Sequence, residues 1–277
     1  MTVLVHKPAA EPEPLAEGLQ LAPGYEVIAH LSRSRLLDVY DVWSEERDCR
    51  CVAKLLRPDC AEDTRGRRRV LDEGRLLQRL THPNIVRAYE TLERPQPIVI
   101  LETIGGATLW HLICSRSRRL PLADIAFLGL HLCSALGYLH RNGILHRDLK
   151  PANVIADGGQ AKLIDLSLAK PPGRSAAGAG TPNYMAPEQV RGGELGPATD
   201  VWGIGAVLFT AAVGHAPFDA DSVTNSYPQL EQQAEPVSTH RRVPAAFTET
   251  IAACLEPAAE KRPSISQLVG QLDALLA

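Results

Sequence analysis

The stretch His146-Arg147-Asp148-Leu149-Lys150-Pro151-Ala152-Asn153 constrains this chain more than any other, because it spaces one carboxylate, one ammonium and one carboxamide along a single short loop. A hydroxyl that attacks phosphorus must give up a proton and lie in line with its target. A site for that step needs a carboxylate in hydrogen-bond reach and a cation near the developing charge. Asp148 and Lys150 suit those roles, since two residues apart on an extended loop their side chains can converge on one centre. Asn153 offers a neutral oxygen to Mg²⁺, which prefers oxygen ligands. A polar surface turn closed by Lys150-Pro151 would account for an isolated His-x-Asp. It does not account for eight matching positions.

Further motifs follow in order. Lys162-Leu163-Ile164-Asp165 reads as a short strand carrying a carboxylate to its end, followed by Leu166-Ser167. Next come Gly180-Thr181-Pro182-Asn183-Tyr184-Met185-Ala186-Pro187-Glu188 and Thr199-Asp200-Val201-Trp202-Gly203-Ile204-Gly205. On these motifs the chain resembles the eukaryotic-like Ser/Thr protein kinases of the bacterial type, from about Tyr25 to the C-terminus. The resemblance implies an α+β, bilobal protein-kinase fold: a small N-terminal antiparallel sheet with one helix, then a larger, mainly helical C-terminal lobe.

The pattern along the chain agrees. Pro8, Pro12, Pro14 and Pro23 with Glu11, Glu13 and Glu17 favour an extended, poorly packed leader over residues 1–22. A kinase domain over 23–277 is expected to follow, with lobes of about 23–102 and 103–277. Strand-like runs cover 25–31, 39–43, 51–56 and 98–102, with one helical stretch over 67–80. Beyond Thr103 apolar residues recur at helical spacing over 123–140, 199–213, 245–255 and 264–276. The junction near Glu102 to Gly105 is the expected place for a nucleotide cleft.

Composition narrows the function classes. With 277 residues, 45% of them hydrophobic, and a formal net charge of −3, nucleic acid is not the expected partner. The basic clusters Arg65, Arg67, Arg68, Arg69 and Arg116, Arg118, Arg119 read as solvated faces or loops. No uninterrupted apolar run approaches the roughly 18 residues of a membrane span, so no span and a cytoplasmic location are expected. The cysteines Cys49, Cys51, Cys60, Cys114, Cys133 and Cys254 lack paired C-x₂-C spacing, so reduced thiols are expected. Signals would arrive through a regulatory partner protein or the leader.

The resemblance assigns roles residue by residue. Lys54 would hold the α- and β-phosphates, paired with Glu73 on the small-lobe helix. Leu101 falls at the gatekeeper position, Glu102 and Ile104 at the adenine-binding backbone, and Ile155 at the adenine floor. Leu31, Val39 and Val52 fall above the nucleotide, Val52 where alanine is usual. Asp165 and Asn153 would bind the metal, Mg²⁺ or alternatively Mn²⁺, beside ATP. Thr181 with Lys150 marks Ser/Thr specificity, Glu188 would pair with Arg262, and Asp200 would hold the catalytic-loop backbone. Arg147 would receive a phosphate from the activation segment, with Ser175 as the leading acceptor.

Two departures stand out. Ser32, Ser34 and Leu37 occupy the places of three phosphate-loop glycines, which normally allow positive φ and close approach of backbone N–H groups. Arg33 and Arg35 could supply charge there instead, or simply face solvent. The Asp-Phe-Gly triplet is Asp165-Leu166-Ser167, which keeps the metal ligand and stiffens the segment. The resemblance therefore implies transfer of the ATP γ-phosphoryl to protein Ser/Thr hydroxyls. A pseudokinase acting as a binding module is the alternative. A small-molecule phosphotransferase would explain Asp148 and Asn153 but not Lys150, Thr181 or Ala186-Pro187-Glu188.

Overall fold

In a computed structural model, residues 12–115 and 119–276 are described. Residues 1–11 of the expected leader, and Arg116 and Arg118 of the second basic cluster, lie outside them. The described chain divides into two compact units, residues 12–80 with 87–103 and residues 81–86 with 104–276.

The first unit holds strands β1 (Gln20–Ala22), β2 (Tyr25–Arg33), β3 (Leu37–Ser44) and β4 (Cys49–Leu56), helix α1 (Thr64–Arg79), then β5 (Ala88–Leu92) and β6 (Ile98–Glu102). The strands form one antiparallel sheet in the order β1-β2-β3-β4-β6-β5. Two-residue alternation in β2 buries Tyr25 and Val27 and exposes Glu26, and the inward side chains join Tyr40, Val42, Cys51, Ala53 and Ile100 in one core. β1 and β5 are too short and mixed in composition to read from sequence.

The described part of the leader is not poorly packed. Leu15 and Leu21 pack on the sheet core, Leu15 N–H donates to the Tyr40 hydroxyl at 3.0 Å, and β1 pairs with β2. A proline- and glutamate-rich segment was expected to bury too little apolar surface to order itself. Here two leucines and a ready-made sheet edge supply the missing contacts.

Helix α1 begins three residues before its expected start because the Asp63 side chain caps it, accepting from Arg65 N–H at 3.0 Å. Its buried positions, Gly66, Val70, Glu73, Gly74 and Leu77, form one stripe at helical spacing. Arg65, Arg68 and Arg69 face solvent, as expected of a solvated face. A Cβ at Gly74 would run into Thr91 and lie 2.9 Å from Val99 Cγ2. Gly74→Ala should therefore be net destabilising by up to about 2 kcal/mol in urea denaturation: overpacking costs roughly 1–3 kcal/mol, against about 1 kcal/mol of alanine helix propensity. A stabilised variant would mean that the helix can move off the sheet.

The second unit carries β7 (Ala107–Thr108), α2 (Leu109–Ser115), α3 (Leu122–Arg141), β8 (Val154–Asp157), β9 (Gln160–Leu163), β10 (Gly173–Arg174), α4 (Pro187–Arg191), β11 (Glu194–Leu195), α5 (Pro197–Val213), α6 (Val237–His240), α7 (Ala245–Cys254) and α8 (Ile265–Ala274). Residues 81–86, expected in the small lobe, belong here: Asn84 Nδ2 donates to Ala161 O at 2.8 Å and Val86 N–H to Leu163 O at 2.8 Å. Helix α5 is buried from Thr199 to Val213 and packs on α3 and α7.

Helix α3 qualifies the expectation of no membrane span without overturning it. Its 20 residues include an 18-residue window of mean hydropathy 1.6, long and apolar enough by composition to cross a bilayer. A few polar groups are interleaved along it, so it shows no uninterrupted apolar run. Of that window 56% is buried inside the protein, where α3 packs on α5 and α8 as a core helix.

Candidate active site

Asp200, in the first turn of α5 and 1% exposed, holds the loop that carries the charged motif. Its carboxylate accepts the backbone N–H groups of His146 and Arg147, each at 2.9 Å, and lies 2.7 Å from His140 Nε2. Arg147 has φ +69, left-handed backbone that an arginine adopts only when its surroundings enforce it. Asp200 grips its N–H, and Gln189 Nε2 donates to its carbonyl at 2.7 Å.

The next residue is thereby aimed at a set of donors. Thr181 Oγ1 donates to Asp148 Oδ1 at 2.7 Å and accepts from Lys150 Nζ at 2.7 Å, while Lys150 Nζ lies 3.0 Å from Asp148 Oδ2. Carboxylate, hydroxyl and ammonium close into a triangle. Asn153 Nδ2 donates to Asp148 O at 2.9 Å and approaches Oδ2 at 3.4 Å, so both contacts use the amide nitrogen rather than Oδ1. Ile164 N–H donates to Asn153 O at 3.1 Å, which puts Asp165 next to this turn, and Ser167 N–H donates to Asp165 Oδ1 at 2.9 Å. Leu166 is buried, 2% exposed. An amide oxygen and a carboxylate are hard oxygen donors, too few to cage an ion alone, which suits a divalent cation completed by water and phosphate oxygens.

Within the first unit, Lys54 Nζ meets Glu73 Oε1 at 2.9 Å and Oε2 at 2.8 Å, with both residues buried. Val39 lies opposite Lys54 across the β3–β4 ladder, and Val52 opposite Leu101 across β4–β6. Glu102 donates its N–H to Arg87 O at 2.9 Å and accepts Arg87 N–H on Oε1 at 3.0 Å. Leu31 is 53% exposed on β2. In the second unit Ile104 is half-buried ahead of β7, and Ile155 on β8 lies opposite Thr108 and Lys162.

The β2–β3 hairpin accounts for its missing glycines. None of Ser32, Ser34 and Leu37 has positive φ. Ser34 N–H donates to Leu37 O at 2.8 Å and Leu37 N–H to Ser34 Oγ at 3.0 Å, so the serine closes the turn with its own side chain. Arg33 spans Asp38 through Nε at 2.7 Å and Nη2 at 2.9 Å and reaches Pro12 O through Nη1 at 2.6 Å. It braces the hairpin rather than standing ready for phosphate; Arg35 is exposed. Arg57 ties the tip down from β4's end, donating its N–H to Leu36 O at 2.9 Å.

Burial pushes the Asp38 carboxyl up, but hydrogen bonds from Arg33 and His30 outweigh it and hold it below its ordinary value. A depressed carboxylate stabilises the fold above the unfolded pKa of about 3.9, and that contribution is lost as pH falls through the folded value. Asp38→Asn should cost about 1.5–3 kcal/mol at pH 7, the scale of hydrogen bonds to charged groups. In thermal unfolding across pH, the gap to wild type should narrow below pH ~4. A constant gap would assign the loss to packing alone.

The activation segment is tied at three points. Arg147 Nη2 hydrogen-bonds Ser175 Oγ. Glu188 chelates the Arg262 guanidinium at 2.7 and 2.9 Å and accepts Thr199 Oγ1 at 2.9 Å. Gln189, 3% exposed, donates to Ala179 O at 3.1 Å as well as to Arg147 O. Sequence reasoning missed Gln189 and Asp38. A neutral glutamine behind Glu188 carries no motif, and Asp38 is legible only as a charge inside a strand.

The family described as "Protein kinase domain" matches residues 25–272. The chain is 31% identical over 274 residues to a DNA damage-responsive serine/threonine-protein kinase, RqkA, of Deinococcus radiodurans, an alignment covering 95% of this chain and 41% of that protein. It is 33% identical over 201 residues to the serine/threonine-protein kinase PknB of Mycobacterium tuberculosis, covering 68% of this chain and 32% of that one. The chain thus spans well under half the length of these relatives. Among solved structures, the PknI kinase domain of Mycobacterium tuberculosis superimposes with a TM-score of 0.75 at 25% identity, over 95% of this chain and all of that domain.

Proposed function

The chain belongs to the protein kinase family, in its eukaryotic-like Ser/Thr branch, and on that premise we propose that it transfers the γ-phosphoryl group of ATP to Ser or Thr hydroxyls of a protein. The observation that carries this reading is the triangle of Asp148, Lys150 and Thr181. Asp148 is the group that receives or orients the substrate hydroxyl proton. Lys150 stands beside it as fixed positive charge where the transferring group gains negative charge. Thr181, bonded to both, keeps the carboxylate and the ammonium in register before substrate arrives, so little reorganisation accompanies the step.

Lys54, immobilised by two hydrogen bonds to Glu73, is assigned to the α- and β-phosphates. Asn153 and Asp165 would hold a divalent cation, Mg²⁺ or in its place Mn²⁺, which when bound neutralises phosphate charge. The glycine-free hairpin does not favour a non-catalytic binding module, because the residues replacing the glycines close the turn in ordinary backbone conformations. The six free thiols suit a reducing compartment, and the cytoplasm, where ATP is at hand, is the proposed location.

The test is transfer of labelled γ-phosphate from ATP, with Mg²⁺ and then Mn²⁺, to the protein itself and to a generic basic protein, beside an Asp165→Asn control. Label in wild type but not in the control is the expected result. Silence from folded wild-type protein would overturn the activity.

Regulation through Ser175 is part of the same proposal, supported by its contact with Arg147. Arg147 is partly buried, which lowers its guanidinium pKa against the opposing pull of Asp200, and its Nε is buried without a hydrogen-bond partner. A phosphate on Ser175 would supply acceptors to this desolvated cation. Self-phosphorylation at Ser175, read by mass spectrometry after incubation with Mg-ATP, is expected. Ser175→Ala should lower the transfer rate about tenfold, equivalent to ~1.4 kcal/mol. Full activity in that variant, with no phosphate on wild-type Ser175, would exclude the switch.

A further inference from the structure

A cavity of about 640 Å³ opens beside the catalytic triangle, and Lys150 and Thr181 are part of its wall. Most of its exposed lining is apolar: Trp110, Tyr184 and Phe218 contribute to it, with Ala152 beside them. The volume lies within the roughly 300–1,000 Å³ range of ligand pockets. We propose that this cavity selects protein substrates carrying a large apolar or aromatic side chain close in sequence to the phosphorylated Ser or Thr; the inference rests on the proposed kinase activity and names its substrate class.

Position decides the occupant. A polypeptide that presents a hydroxyl to Asp148 must pass Lys150 and Thr181, the two residues bonded to Asp148, and these are also cavity wall. An extended chain advances about 3.3 Å per residue, so a near neighbour of the acceptor lies over the opening.

Chemistry decides what that neighbour is. Besides Lys150, whose ammonium is already engaged by Asp148 and Thr181, the wall holds one histidine, His215, and one carboxylate, the exposed Asp219. Ala152 follows Pro151 at the catalytic loop and offers a methyl group where a longer residue could have placed charge. Trp110 keeps 44% of its surface exposed while Phe218 keeps 6%, so Trp110 supplies most of the aromatic surface that an inserted side chain would cover.

The wall is also preformed. Phe218 stacks on the fully buried Trp202, with ring centroids 5.6 Å apart and planes 8° from parallel. Asn183 Oδ1 accepts Ala220 N–H at 3.2 Å, and Gln229 Nε2 donates to Pro182 O at 2.9 Å, so both sides of the opening are tied together. A rigid apolar recess holds an inserted side chain at small entropic cost.

The experiment is a positional-scanning library of peptides around a central Ser or Thr, phosphorylated with Mg-ATP by wild type, Trp110→Ala and Ala152→Glu, with self-labelling from ATP measured in parallel. Wild type should prefer Phe, Leu or Met over Ala about tenfold at one flanking position or more, the scale of apolar-pocket discrimination. Trp110→Ala should erase most of that preference through KM rather than kcat. Ala152→Glu, which adds a carboxylate to the opening, should shift the preference toward Arg or Lys. A wild type that labels itself but shows no apolar preference, or selects Arg or Lys, overturns the inference. So does an apolar preference unchanged in both variants. Failure of self-labelling by folded wild type overturns the kinase activity itself and this inference with it, and the parallel measurement tells that failure apart.

Discussion

Replacing Asp148 with asparagine is expected to lower kcat for phosphoryl transfer by about 10²–10⁴-fold, the range supplied by a positioned acid–base group. Three donors reach this carboxylate, Thr181 Oγ1 at Oδ1 and Lys150 Nζ with the more distant Asn153 Nδ2 at Oδ2. A carboxamide can accept on one side only and must present its own N–H₂ to the donor or donors on the other. The variant therefore loses the proton acceptor and disorders the two groups that frame it. The change is isosteric but removes hydrogen bonds to a charged group whose side chain is 12% exposed, so stability should fall by about 1.5–3 kcal/mol, and the assay is run well below the unfolding transition of the variant. Label-transfer kinetics with ATP and substrate varied separately would locate the loss in kcat rather than in KM for ATP. A variant within threefold of wild type would remove Asp148 from the reaction.

The largest loss of stability is expected from Arg262→Ala, about 3–5 kcal/mol, the cost of removing one partner from a buried ion pair. The Arg262 side chain is fully buried and spends its donors on Glu188, on Ala198 O at 2.9 Å, on Glu256 O at 2.8 Å and on Pro257 O at 3.1 Å. It also lies over the Trp202 ring, 5.0 Å from its centroid. Alanine would leave the Glu188 carboxylate without its counter-charge and those carbonyls short of their shared donor. Because whole-domain stability is typically ~5–15 kcal/mol, such a loss consumes a large part of it. Arg262→Lys keeps the charge but not the planar fork that spans both carboxylate oxygens, so it should recover only part of the deficit.

The pH dependence supplies a signature. Burial pushes the Glu188 carboxyl up, and the hydrogen bonds and charge of Arg262 outweigh it and hold it low. That contribution is present above the unfolded glutamate value of about 4.3 and is lost as pH falls through the folded value. The difference between wild type and Arg262→Ala in guanidinium denaturation should thus be widest near neutrality and shrink below pH ~4. A variant that unfolds less than 1 kcal/mol more easily at pH 7 would mean the pair is idle.

How far the chain could be read without its structure depended on the range of each interaction. Asp148, Lys150 and Asn153 lie within a single loop, and their spacing was enough to point to the chemistry proposed for them. Lys54 and Glu73, 19 residues apart, were legible because one ends a strand-like run and the other sits on a helix of clear period. The same locality made the long helices visible and left β1, β5 and the docked leader unseen, since these owe their form to a sheet edge made elsewhere.

From the sequence alone came the family, the residues proposed for phosphoryl transfer and the alternation that builds a sheet followed by helices, because short-range spacing and periodicity are written into neighbouring residues. Tertiary structure alone decided that Arg33 reaches back 21 residues to Pro12 and turns from phosphate to Asp38. It decided too that Gln189 grips the carbonyl of Arg147 across 42 residues, that Ser175 meets the Arg147 guanidinium across 28, and that three aromatic rings line one recess beside Lys150. Each of these joins residues whose separation carries no period and whose types carry no motif. The physical reason they form is that a buried charge or amide must find a partner, and only the folded chain determines which one is within reach.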